Sequence, residues 1–109
     1  MGARIASVAD QLLLIERELR VQGWWDSVAP EPLALSSQQP FCVDTLAFEQ
    51  WLQWVFLPRM KQIVEAGTPL PKASGIQPMA EQVFAGQLSK ARELIRLLAE
   101  FDQLIADAA

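Results

Sequence analysis

The chain has 109 residues, a formal net charge of −4, no histidine, no tyrosine and one cysteine, Cys42. That length suits a single domain over residues 1–109 whose core needs no disulfide or metal; the inventory excludes a disulfide framework, Ser/His/Asp and Cys/His nucleophiles and the usual zinc sites. The acidic balance repels phosphate backbones and the nine basic residues are scattered, which argues against direct nucleic-acid binding.

The first expected helix covers 3–22, where Ile5, Val8, Leu12, Ile15 and Leu19 recur at helical spacing and Leu13 and Leu14 broaden the seam. Asp10, Glu16, Arg17 and Glu18 interrupt it, unlike the apolar stretch of a secretory leader, so none is expected. No run of about 18 apolar residues follows, and the chain is expected to be cytoplasmic, not membrane-embedded. Gly23 suits the left-handed residue after a helix, with Trp24 and Trp25 placed to fold back on the last turn.

Residues 26–42 carry Pro30, Pro32 and Pro40, which forbid a long helix. They form a Pro-rich, ordered connection pinned by Leu33, Leu35 and Phe41, with a short helical turn near Pro32. A second helix, 44–67, takes Asp44 as its N-cap and ends at Gly67. Pro58 lies inside it and predicts a kink, or a break with a restart, because proline cannot donate to the carbonyl of Trp54 and clashes with that turn. After a loop at 68–78, a short helix at 79–85 and a last helix at 87–106 follow, the latter with Leu88, Ala91, Leu94, Ile95, Leu98, Phe101 and Ile105 on one face. The fold class is therefore all-α: a small bundle of three main helices plus one short helix, with a long connection between the first two.

Five glycines stand apart, so there is no phosphate-cradling loop. Glu16, Glu49, Glu81 and Asp102 are the carboxylates nearest apolar faces, a thin basis for catalysis. On a helical wheel at roughly 100° per residue, Asp102 falls between Leu98 and Ile105, and Arg59 between Val55 and Ile63. Opposite charges on two core faces predict a partly buried ion pair, Arg59 with Asp102 or Arg59 with Glu16. Trp24, Trp25, Trp51 and Trp54 come in two close pairs; core packing accounts for most such residues, but their number makes them the candidate partner or ligand surface.

The segments LLLIERELRVQGWW, ALSSQQPFCVDTLAFEQWLQWVFLPRM and LPKASGIQPMAEQVF resemble the YqcC-like family of small bacterial proteins. The likeness extends over about residues 5–105 and implies an all-helical bundle with no assigned catalytic residue. Some members are named for association with a tRNA pseudouridine synthase, which implies an accessory role. The expectation is a non-enzymatic protein without cofactor or metal, binding a protein partner through Trp24, Trp25, Trp51, Trp54 and the Pro-rich connection. The same surface would serve a homodimer. The competing expectation is a pocket for an anionic metabolite between the second helix and residues 26–42, roofed by Trp24 or Trp25 and anchored by Arg59.

Overall fold

The computed structural model describes residues 2–108. Helix α1 (Gly2–Val21) buries Val8, Leu12, Ile15 and Leu19 along the expected seam. It ends as its sequence requires: Gly23 adopts φ 77, Trp24 N–H donates to Leu19 O at 2.9 Å, and Gly23 N–H donates to Arg20 O at 3.1 Å. These paired bonds are the Schellman closure, and they turn the chain so that the Trp24 ring stacks on Phe84. Leu13 and Leu14 do not widen the seam; they are 61% and 42% exposed. One and two residues beyond Leu12, they lie roughly 100° and 200° around the helix, away from the side that meets the rest of the bundle.

The connection holds a one-turn helix α2 (Pro32–Leu35) at the expected proline and a 3-10 turn at Pro40–Cys42. Phe41 and Cys42 both have positive φ, 58° and 49°, a conformation non-glycine residues adopt only when their surroundings hold them. Here the Thr45 hydroxyl donates to Ala34 O at 2.7 Å, and the Phe41 ring packs edge-on to Trp51 at 4.8 Å. Leu35 and Phe41 are half-buried, whereas Leu33 is 80% exposed and pins nothing. Asp44 does not cap the next helix either. It sits in a turn, where its carboxylate accepts from the Ser37 hydroxyl.

Helix α3 (48–66) starts later than its sequence suggests because the backbone first completes that turn; its opening is tied by Gln50 Oε1, which accepts from Ala47 N–H at 2.9 Å. It does not break at Pro58. The segment Leu52–Phe56 is a π turn, with Leu57 N–H reaching Leu52 O. Widening the turn just ahead of the proline is the distortion by which the helix runs on with one backbone donor missing. Gly67, φ 69, closes it.

Helix α4 (Ile76–Val83) begins three residues before the expected start, because its first amides find an acceptor on another helix. Asp102 on α5 (Leu88–Ala108) accepts from Ile76 N–H at 3.1 Å, Gln77 N–H at 2.9 Å and the Ser74 hydroxyl. A carboxylate from a neighbouring helix thus does what an N-cap residue ordinarily does locally. Leu88, placed on the inner face of α5 by its periodicity, is half exposed, while Leu97, which that face omitted, is buried.

α1 packs on α5 and on the Leu57–Ala66 part of α3, and α4 packs on α5. The core is lined by a continuous chain of rings running Trp24, Phe84, Phe48, Trp51, Phe56, Phe101, with Phe41 against Phe48 and Trp51. Neighbouring centroids lie 4.8 to 6.2 Å apart, the range in which offset and edge-on pairs are favourable. Gln11, buried between α1 and α5, donates to Leu97 O at 2.8 Å. No described helix is long and apolar enough to cross a membrane.

Candidate functional site

The four tryptophans divide, one of each sequence pair going each way. Trp24 and Trp51 belong to the aromatic chain of the core, whereas Trp25 and Trp54 line a cleft of about 510 Å³ with Arg20, Asp26, Ser27, Gln53, Leu57, Pro58 and Lys61. All four indoles are half-buried. The cleft lies between the chain leaving α1 and the middle of α3, and each wall is fixed by a feature already described.

The first wall is Trp25 to Ser27, delivered by the Gly23 closure. Gln53 locks it in place: 4% exposed, it accepts from Asp26 N–H at 2.8 Å and donates to Asp26 O at 2.7 Å. This two-point clamp holds both backbone groups of one residue as a neighbouring strand would. The Arg20 guanidinium lies over the Trp25 ring, 4.3 Å from its centroid, a cation–π contact that fixes the roof from above.

The opposite wall is the π turn and the residues after it, carrying Gln53, Trp54, Leu57, Pro58 and Lys61. π turns recur at functional sites because the extra residue re-aims side chains at some cost to the helix. Trp54 bears a second cost: its indole N–H is buried and has no acceptor among the described residues. An unpaired buried donor costs roughly 1–3 kcal/mol.

At the rim Glu16 links the two cations, accepting from Lys61 Nζ at 2.9 Å and from Arg20 Nη2 at 3.0 Å. The Lys61 hydrogen bond is the main cause that holds the Glu16 carboxyl below its ordinary value of 4.5; partial burial pushes the other way and the Arg20 bond adds to the lowering. A carboxyl depressed in the folded state lends stability that is present above the unfolded value and is lost as the pH falls through the folded one. Glu16→Gln is therefore expected to flatten the fall of Tm between about pH 5 and pH 3, a change that thermal melts across that range would register. An acid limb as steep as the parent's would show that the triad contributes nothing.

Arg59, the expected anchor, is elsewhere. It is exposed, does not line the cleft and pairs with neither Asp102 nor Glu16. The reason is the π turn, whose additional residue offsets everything beyond it by roughly 100° from an ideal wheel and so turns Arg59 to solvent. Met60 takes its inward place, and Lys61 is the cation that meets Glu16. The two carboxylates keep their half-buried positions but have other partners: Glu16 in the rim triad, Asp102 at the start of α4. Of the other carboxylates, Glu49 is half-buried and Glu81 exposed. No group of three or more Cys, Asp or Glu side chains that would hold a metal occurs among the described residues.

Arg20, Gln53 and Lys61 are thus site residues that sequence reasoning missed. Gln53 did carry a signal, since it alone interrupts the apolar run Trp51 to Leu57. Arg20, four residues after Glu16, carried the spacing of a helical ion pair.

The family model DUF446, described as tRNA pseudouridine synthase C, matches residues 7–104. The chain is 35% identical over 99 residues to the uncharacterized protein YqcC of Escherichia coli (strain K12), covering 91% of each. The solution NMR structure of YqcC from E. coli superposes with a TM-score of 0.87 at 34% identity, covering 97% of this chain and 91% of that one. A 71-residue stretch, 65% of this chain, is 44% identical to part of a protein of Pectobacterium carotovorum subsp. carotovorum named tRNA pseudouridine synthase C, of which it makes up 19%.

Proposed function

This chain belongs to the DUF446 family, and from that premise we propose that it is a non-enzymatic cytoplasmic accessory domain that binds a protein partner, a tRNA pseudouridine synthase. The observation that carries the reading is the Pectobacterium relative, in which a segment like this one is a fifth of a polypeptide named for that enzyme. Four-fifths of that polypeptide lies outside the match and has room for the catalytic part. Two modules on one chain meet at an effective concentration reaching millimolar; a free-standing copy has to reach its enzyme through a contact surface of its own. The sparse chemical inventory of this chain, with no histidine, supports a binding role over catalysis. The cleft supports a second reading, in which a small anionic ligand lies under Trp25 against Lys61, not Arg59.

Mixing the purified chain with the source organism's tRNA pseudouridine synthase C is expected to give a stoichiometric complex by size-exclusion chromatography with light scattering, with a Kd of about 10 µM or tighter. The chain alone is expected to form no pseudouridine in tRNA. Absence of a complex, or modification by the chain alone, would overturn the reading.

A further inference from the structure

We infer that the cleft between Trp25 and Trp54 takes a carboxylate-bearing peptide segment of the partner protein, an inference that rests on the partner reading above. The rim has donors to spare. An ammonium has three N–H groups and a guanidinium five; Glu16 engages one of those on Lys61 and two of those on Arg20. Counting Asp26 across the cleft, Arg20 and Lys61 balance two carboxylates, so the site is neutral on a chain whose formal net charge is −4 and its spare donors are the part that an anion can use. The Trp54 ring borders the same space, its N–H turned into the protein.

The remaining groups narrow the choice of anion and occupant. Asp26 lines the cleft from the other side, its carboxylate 3.4 Å from Gln50 Nε2, so Asp26 and Glu16 together oppose a dianionic phosphate more strongly than a singly charged carboxylate. Between the donors the lining is Trp25, Trp54, Leu57 and Pro58, an apolar floor that suits a hydrophobic side chain beside the acidic one. Indole platforms with a few fixed donors are how peptide segments are commonly held at interfaces. The clamp of Gln53 on Asp26 keeps this geometry in place before anything binds, which lowers the ordering cost of association.

The test uses the ¹⁵N-labelled full chain and follows its four indole N–H resonances. On addition of unlabelled synthase, the Trp54 and Trp25 signals are expected to shift while those of Trp24 and Trp51 stay; Lys61→Gln and Arg20→Gln, each with the parent's circular dichroism, are expected to weaken binding about tenfold, as loss of one charge-assisted hydrogen bond does. N-acetyl-leucyl-glutamate with its C-terminus amidated, which carries a single carboxylate, is expected by itself to move the Trp54 signal of the parent, and to leave that of Lys61→Gln unmoved. If the complex forms yet the Trp54 signal and the variants' affinities are unchanged, the cleft is not the contact and this inference falls while the partner reading stands. If no complex forms, the partner reading falls, and this inference with it. A response to inorganic phosphate as strong as to the dipeptide would overturn the carboxylate assignment.

Discussion

Phe84→Ala is expected to lower the stability of the fold by about 3–5 kcal/mol, the cost of truncating a buried aromatic side chain whose surroundings cannot fully collapse. Phe84 is 1% exposed and joins two parts of the ring chain: Trp24 stacks on it at 4.9 Å with 12° between planes, and Phe48 meets it edge-on at 5.9 Å. Its removal opens a void and also releases Trp24, whose position depends on the Gly23 closure on one side and on this stack on the other. Urea denaturation should show a lower midpoint at unchanged slope, and the tryptophan emission of the folded variant should move to the red as Trp24 gains water. A loss under about 1 kcal/mol, well short of the range for buried aromatics, would mean that the ring chain does not bear on stability as the packing implies.

Gln53→Leu is expected to cost about 2 kcal/mol, since the volume is nearly kept but the Asp26 amide and carbonyl lose both partners at once. At roughly 4–8 °C per kcal/mol for a domain near this size, the melting point should fall by about 8–16 °C. The functional consequence is the larger one. Without the clamp, the segment from Trp25 to Ser27 keeps the Gly23 closure, the Arg20 contact and the long Gln50–Asp26 side-chain bond, none of which holds its backbone between Trp25 and Ser27, so the cleft loses its fixed wall and the Trp25 indole resonance should broaden or move. Partner binding should weaken even where the variant is folded. If Gln53→Leu melted with the parent, the clamp would be incidental; if it melted low but bound the synthase as tightly, the clamp would serve the fold and not the site.

Much of the architecture is present in local pattern. The spacing of Val8, Leu12, Ile15 and Leu19, the glycines at 23 and 67, and the proline turn at 32 each determine a conformation from their own neighbourhood. A 3.6-residue period selects one face, glycine alone adopts positive φ freely, and proline rules out continuation. The same reasoning reached too far wherever a face was wider than its neighbours could cover, as at Leu13, Leu14, Leu33 and Leu88. A pattern counts apolar residues but not the elements that meet them.

The candidate site was legible only as a shortage of chemistry and a surplus of indoles. Which indoles serve the core and which the cleft, which cation stands opposite Glu16, and what Asp102 holds were decided by the tertiary structure. The reasons are physical. One π turn shifts everything after it by roughly 100°, enough to put Met60 in the inward place expected of Arg59. Asp102 finds its partners about 26 positions back along the chain, at the start of a helix that no periodicity could place beside it. By itself the amino-acid order determined most of the helices, the glycine closures at 23 and 67 and an inventory without histidine, because these depend on composition and on contacts within a few residues; the cleft depends on where three separate stretches arrive in space, and that only the packed chain decides.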